Sequence, residues 1–299
     1  MSAPGFPEFK IIGLEDKDCL AAFIARSPAE VCEINLGNIL IWRQFDHSKF
    51  TILNGNLCIL CEPPSEPAYF LQPLGEDKIR ETITACLNFA PRLSRIPESF
   101  AAQYCSEFKC EPDPGNFDYV YLAEDLIHLR GKRYDGKRNR IRKFERNHAC
   151  RYVRLADEHL DSCRHLFEKW LEKKESDDGS FPLVWRHVIE EALERFKEIG
   201  LKGGAIEIEG QVAAFSIGER LTSDTAVIHI EIVDPDYEGL PQLMNREFVK
   251  NEWAEYQYIN REQDLGNPGL RRAKTSYHPH HLVKKYNLWG LSQARPLPA

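Results

Sequence analysis

The segment Tyr256-Gln-Tyr-Ile-Asn-Arg-Glu-Gln-Asp-Leu-Gly-Asn-Pro-Gly-Leu-Arg-Arg-Ala-Lys-Thr-Ser-Tyr277 constrains the rest of the chain most. It begins as a buried strand would, with Tyr256, Tyr258 and Ile259, then turns polar at Asn260, Arg261, Glu262, Gln263 and Asp264. Gly266 and Gly269 flank Pro268, and Arg271, Arg272 and Lys274 follow. A core strand that ends in a run of hydrogen-bonding side chains is unfavourable unless those groups are paired or face a cleft. In α/β sheets, ligands collect at the carboxyl ends of strands. Glycine turns let backbone N–H groups approach such a ligand. The segment therefore reads as the floor of a binding site. The competing reading is an internal ion-pair network of Arg261, Glu262, Asp264 and Arg271.

Charge is the second constraint. The chain carries −7 overall, yet residues 130–154 hold eleven Lys/Arg and two acids, a local +9 on an otherwise acidic protein. Such an island implies a local anionic partner: a phosphate, a nucleotide tail, RNA or an acidic lipid head. With 299 residues, 42% of them hydrophobic, the chain is long enough for one large domain or two ordinary ones. No apolar run approaches the ~18 residues of a membrane span. The N-terminus lacks the basic-then-apolar pattern of a signal peptide. The expectation is a soluble, cytoplasmic protein. Nine irregularly spaced cysteines fit reduced thiols better than a disulfide framework.

Taken in order, residues 13–50 read as helical and Phe50–Glu62 as a hairpin turning at Asn54-Gly55. Ala68–Gln72 reads as a short strand, Glu76–Phe89 and Ser99–Phe108 as helices, 111–116 as a loop and Phe117–Leu122 as a strand. The basic island forms a helix over 136–147, with Asp135 as N-cap and a thin apolar stripe of Tyr134, Ile141 and Phe144. Like charges four apart (Arg138/Arg142, Arg142/Arg146) weaken such a helix, which favours a binding role over a merely solvated face. The second half runs strand (152–155), helix (157–174), loop (175–180), helix (185–199), a meander over 202–233, a loop, helix (240–255), and then the focal strand. Cys58-x-x-Cys61, Cys105-x4-Cys110 and His278-Pro-His280-His281 have some metal-ligand character. The cysteines read better as small buried hydrophobes and the histidine rings diverge, so no metal is expected.

The order helix, helix, meander, loop, helix, strand resembles a GNAT-type N-acyltransferase domain. In that fold the loop after the strand Ala226–Val233 holds an acyl donor's pyrophosphate on helix N–H groups. Here that loop, Asp236-Tyr-Glu-Gly-Leu-Pro-Gln, has a single glycine, Gly239, and a proline two positions on. The run Tyr134-Asp-Gly-Lys-Arg-Asn-Arg-Ile-Arg-Lys-Phe144 resembles the linking segment of tandem-GNAT aminoacyltransferases. Residues 258–277 resemble the C-terminal catalytic domain of phosphatidylglycerol lysyltransferases, and a stand-alone bacterial family that shares it. The resemblance implies an α/β protein with mixed sheets and tandem GNAT-like domains. The first would span 1–150 and end in the basic linking helix; the second would span 151–299.

It also implies an aminoacyl-tRNA donor, no bound cofactor, and a small-molecule, peptide or lipid-head-group acceptor. Aminoacyl transfer requires positioning of an activated ester and an attacking amine or hydroxyl, a proton acceptor, and oxyanion stabilisation. The candidate bases are Glu231, Glu262 and Asp264. Lys274 and Arg271 are candidates for holding phosphate or the oxyanion. Asn245 and Asn260 would orient the donor, Gly239 would line its loop, and Tyr277 would act as an acid or a stacking surface. Lys137, Arg138, Arg140 and Arg142 would grip tRNA phosphates, with strong salt dependence. Two other functions fit the same features: transfer from acyl-coenzyme A, and a non-catalytic RNA- or anion-binding module.

Overall fold

The computed structural model describes residues 3–27, 30–177 and 182–291. It opens with β1 (Lys10–Ile11), α1 (Lys17–Ile24), α2 (Leu36–Trp42), β2 (Lys49–Leu53), β3 (Asn56–Cys61), β4 (Tyr69–Phe70), α3 (Ile79–Phe89), β5 (Leu93–Pro97), α4 (Glu98–Tyr104) and β6 (Lys109–Pro112). There follow β7 (Asp118–Leu122), α5 (Ala123–His128), α6 (Asp135–Asn147), β8 (Cys150–Arg154), α7 (Asp157–Asp177), α8 (Pro182–Glu194) and α9 (Phe196–Ile199). The chain closes with β9 (Lys202–Ile208), β10 (Gln211–Arg220), β11 (Thr225–Val233), α10 (Leu240–Glu252), β12 (Tyr258–Asn260), α11 (Pro268–Thr275), β13 (His281–Val283) and β14 (Lys285–Trp289). These make two seven-stranded mixed sheets, ordered β1-β2-β3-β4-β5-β14-β6 and β13-β7-β12-β11-β10-β9-β8.

Contacts group the chain into two compact units. One contains residues 1–118, 263–268 and 282–299; the other contains 119–262 and 269–281. This grouping differs from a cut at residue 150. The physical reason is strand exchange: β7 pairs antiparallel with β12, and β14 pairs with β5 and β6. The basic helix α6 accordingly belongs to the second unit.

The two units repeat one plan. In the first, antiparallel β2 and β3 lead to β4, then α3 crosses over to β5, which pairs with β4 in parallel at Phe70↔Leu93. In the second, antiparallel β9, β10 and β11 are followed by crossover helix α10 and a parallel β11–β12 pair. Parallel strands need such a crossover. The β2–β3 hairpin turns at Asn54 (φ 52°) and Gly55 (φ 79°), the left-handed pair a two-residue hairpin demands. The first unit's core sets Leu60, Phe70, Leu93 and Ile96 against Ile83, Cys86 and Leu87 of α3. The second unit's core sets Ile206, Ala214, Ala226 and Ile228 against Leu243, Met244 and Phe248 of α10, and the thin stripe Tyr134, Ile141 and Phe144 joins them. Each leucine, isoleucine, phenylalanine or methionine among them contributes roughly 1.5–3 kcal/mol by leaving water.

Local expectations fail in identifiable places. The segment read as a loop from Glu111 is partly strand β6, because β14 returns from the far end of the chain to pair with it. β5 and β14 also escape local reading. Asp135 is the first residue of α6 and pairs with Arg138 rather than capping the helix. The loop expected at 175–180 is helical as far as Asp177, and its remainder lies outside the described residues. Cys105 and Cys110, expected as reduced thiols, form a disulfide; their Cα atoms lie 5.4 Å apart across the α4–β6 turn. Cys58 and Cys61 are buried within β3. No described helix is long and apolar enough to cross a membrane.

Candidate active site

β11 and β12 stay paired for three positions only: Thr225↔Tyr258, Ala226↔Ile259 and Val227↔Asn260. β11 then continues to Val233, while the chain leaves β12 through Arg261 and Glu262, the latter at φ 57°. The parallel pair therefore splays at its carboxyl end, the position where open α/β sheets bind ligands. A bulge in β11 sets what faces the splay. Ile217 pairs with Ile230 and Gly218 with Ile228, which leaves His229 as the extra residue. After this step in phase, Glu231 shares a face with Val233, which packs on the α10 side.

Glu231 meets Arg261 there, with Arg261 Nη2 3.2 and 3.3 Å from its two carboxylate oxygens. The Arg261 guanidinium lies 5.1 Å from the ring centre of Tyr277, and the ammonium of Lys137 lies 3.6 Å from the same ring. Such cation–ring contacts contribute about 0.5–2 kcal/mol each. Lys137 also donates to Ser276 Oγ at 2.8 Å. Burial, with Arg261 and Arg140 adding repulsion, brings the Lys137 amine down to about 8. The phenol of Tyr277 moves the other way: burial raises it, and the nearby Arg261 cation offsets this only in part. It stays protonated at neutral pH and serves as a donor or a stacking surface. Its carbonyl accepts from Tyr134 Oη at 2.9 Å, and Lys274 O accepts from Tyr121 Oη at 2.9 Å. Lys274 itself donates to the carbonyl of Arg261.

Two buried polar side chains, one on β10 and one on α10, have no partner among the described residues. Ser216, fully buried, stands directly across from Glu231 on β10, and its Oγ is unpaired. Asn245 of α10 is 1% exposed, with both amide atoms unpaired. Buried orphans of this kind cost roughly 1–3 kcal/mol each, which a polar ligand or water would recover.

The remaining candidates lie elsewhere or are already engaged. Glu262 points to the other side of the sheet and accepts from His229 Nδ1 at 2.7 Å, while His229 Nε2 lies 2.9 Å from Glu219. Burial alone would lower the imidazole's pKa. The hydrogen bonds to Glu219 and Glu262 overcome this and hold it up at about 10, so His229 is a buried imidazolium clamped by two carboxylates. Asn260 Oδ1 accepts from the Glu262 N–H at 2.7 Å and fixes that left-handed turn. Asp264, 1% exposed and in the first unit, accepts from the Gly266 N–H at 2.8 Å and shapes the next turn. Arg271 is exposed on α11. Arg138 donates to Gly131 O at 2.9 Å, so it braces the entry to its own helix, whereas Arg140 and Arg142 are exposed.

Gly239, at φ 93°, starts α10, and a Cβ there would lie 2.5 Å from the carbonyl oxygen of Arg140. Helix α6 thus packs directly on the loop that leads into α10. Lys143 pairs with Glu238 at 2.7 Å, and Tyr237 packs against Phe144 and His148. Pro241 removes one of the N–H groups at the helix start.

Sequence reasoning singled out Glu231, Lys137, Lys274 and Tyr277 separately, and the fold brings them together with Arg261. It missed His229, Glu219 and Ser216. The signal for His229 was present as one histidine in the apolar run Ala226-Val-Ile-His-Ile-Glu-Ile-Val.

In the first unit, Cys32, Glu33 and Asp118 form the one described cluster with metal-ligand spacing. The ammonium of Lys285 sits among them, 2.6 Å from Glu33 and from Asp118. The cation there is the chain's own lysine.

Comparison with known proteins agrees with this architecture. A family model described as "Phosphatidylglycerol lysyltransferase, C-terminal" matches residues 24–288. A conserved protein of unknown function from Bacteroides thetaiotaomicron superposes with TM-score 0.86 at 27% identity, covering 94% of this chain and 99% of that one. L-PGS from Bacillus licheniformis gives 0.66 at 16% identity, with 93% of each chain covered. FemX gives 0.60 at 10% identity, covering 95% and 97%. The last two are similarities of fold. No curated protein matches the sequence. On the family match and the paired GNAT-like units together, the chain belongs to the family of phosphatidylglycerol lysyltransferase C-terminal domains.

Proposed function

We propose that the protein transfers an aminoacyl group from aminoacyl-tRNA to an amine or hydroxyl acceptor. The observation that carries this reading is the set Glu231, Arg261, Lys137 and Tyr277 at the splay of a parallel strand pair, within a chain of this family. In the reaction the acceptor's nitrogen or oxygen attacks the ester carbonyl, its proton passes to a base, and the tRNA 3′-oxygen leaves and is protonated. Glu231 is the carboxylate base. Lys137, with an amine near 8, exchanges protons at neutral pH. Arg261 stabilises the carbonyl oxygen as it gains charge, or holds a terminal phosphate of the tRNA. Arg140 and Arg142 supply exposed cations for the acceptor stem.

Transfer from acyl-coenzyme A is the weaker reading, because α6 covers the loop and helix start that would hold the pyrophosphate. A non-catalytic module would bind charged tRNA without turnover. The family's name and the L-PGS neighbour make lysyl-tRNA with phosphatidylglycerol vesicles the first donor–acceptor pair to test. Soluble amines follow, then acyl-coenzyme A in place of the tRNA. Turnover should fall by a factor of roughly 10²–10⁴ in Glu231→Gln, with tRNA binding retained. Lys137→Met should remove the limb of the pH–rate profile near 8. Turnover unchanged in both variants would reject these roles. Absence of transfer from any charged tRNA would reject the function.

A further inference from the structure

We propose that the first unit carries a second binding site, in which Arg95 and Arg92 hold the phosphate or carboxylate group of a small ligand. The repeated strand plan places two arginines at matching positions. In the second unit Ile259 pairs with Ala226 on the parallel neighbour, and Arg261 lies two residues further on. In the first unit Leu93 pairs with Phe70 on its parallel neighbour, and Arg95 lies two residues further on. Each arginine stacks on tyrosine and pairs with a glutamate. Arg95 lies 4.5 Å from the Tyr69 ring centre, with Nη2 2.5 Å from Glu66.

The backbone is distorted to place Arg95. Ile96 pairs with Tyr286 and Leu93 with Leu288, so Ser94 and Arg95 together oppose the single residue Asn287. Arg95 takes φ 57°, a conformation that costs a non-glycine residue roughly 1 kcal/mol or more. The bulge keeps Leu93 and Ile96 on the core face and turns Arg95 to the other face. Strain of this kind persists where the surroundings impose it, and it clusters at ligand sites.

The two guanidiniums share one close carboxylate. Arg92 and Arg95 both lean on Glu66, and Arg92 lies 5.7 Å from the same Tyr69 ring. Glu33, 3.8 Å from Arg95, is already held by Lys285 at 2.6 Å. Asp46 has its carboxyl pushed up to about 7 by burial, so it offsets the arginines only in part at neutral pH. Arg95 Nη1 and Arg92 Nε are buried and have no hydrogen-bond partner among the described residues. Buried guanidinium N–H groups without acceptors are unfavourable, and an oxyanion supplies the acceptors in the geometry a guanidinium prefers. The side chains of Arg95, Arg92 and Glu66 are 15%, 18% and 27% exposed, so the cluster borders solvent while the two unpaired nitrogens are covered, and an anion reaches them by displacing Glu66.

Calorimetric titration of the full chain with inorganic phosphate, with acetate, and with chloride at matched ionic strength tests the site. The expected result is a saturable event for phosphate or for acetate, absent for chloride and separate from any phosphate held by Arg261. It should weaken at least tenfold in Arg95→Gln and be unchanged in Arg261→Gln. The stronger of the two anions identifies the ligand class. If Arg95→Gln loses its native circular dichroism, Arg92→Lys becomes the deciding variant: it keeps the charge, deletes Nε, and should weaken binding several-fold. The proposal is overturned if neither anion binds saturably, if the deciding arginine variant leaves binding intact, or if Arg261→Gln abolishes the only event.

Discussion

His229 offers the most quantitative test of the second unit. Its imidazolium is buried between Glu219 and Glu262 at 2.9 and 2.7 Å, and its pKa is held at about 10 against 6.5 for the free side chain. Because the folded value is the higher one, the stabilisation is fully present below pH 6.5 and is lost as pH rises through 10. At neutral pH the gap to the folded value is about three pH units, worth up to about 4 kcal/mol at 1.36 kcal/mol per unit. His229→Gln keeps one donor and removes the charge, leaving two buried carboxylates to face each other. The expected loss is about 3 kcal/mol near neutral pH, in the range for breaking a buried ion pair from one side. Urea denaturation followed by circular dichroism, on both proteins near pH 7 and again near pH 10, measures it. The two curves should converge at the higher pH, because the native protein then loses its own advantage. A difference below about 1 kcal/mol near neutrality, or one that does not shrink with pH, would show that the imidazole is neutral in the fold and refute the reasoning.

Other perturbations probe separate parts of the molecule. Lys285→Met strands Glu33 and Asp118 without their cation and should cost about 3 kcal/mol in urea unfolding; adding Asp118→Asn should restore part of it. Gly239→Ala, at the start of α10, forces a Cβ to within 2.5 Å of the Arg140 carbonyl at φ 93° and should cost roughly 2–3 kcal/mol, whereas Gly136→Ala in α6, where a Cβ meets open space, should gain about 0.5–1 kcal/mol. Asp46→Asn should stabilise the protein increasingly as pH rises from 3.8 to about 7, by up to about 4 kcal/mol above that, because the unfolded carboxyl ionises from 3.8 while the buried one stays protonated until about 7. A melting temperature for Asp46→Asn that rises only below pH 7 would contradict that assignment.

Much of the element order was legible in the chain, because local signals fix local structure. Asn54-Gly55 specifies a hairpin, the stripe Tyr134, Ile141 and Phe144 specifies the buried side of a basic helix, and Gly200 closes the helical stretch before β9. The polar run after Ile259 marks the end of β12 at Asn260. Its assumed pairings were another matter. Arg261 meets Glu231 from thirty positions upstream, and Glu262 meets His229 on the opposite side of the sheet.

What the sequence determined by itself was therefore the periodicity of its strands and helices, the basic island, and the residue types available for acyl transfer. Only the tertiary structure decided which of them meet. One extra residue in β11 shifts the phase of every later side chain, so Glu231 faces the splay while His229 turns away. A similar bulge in β5 turns Arg95 off the core face. Strand β14 returns from close to the end of the chain to pair with β5 and β6, and carries Lys285 to its carboxylates. Bulges and long-range strand pairings leave little trace in local pattern, because their energy comes from hydrogen bonds and burial shared between distant segments.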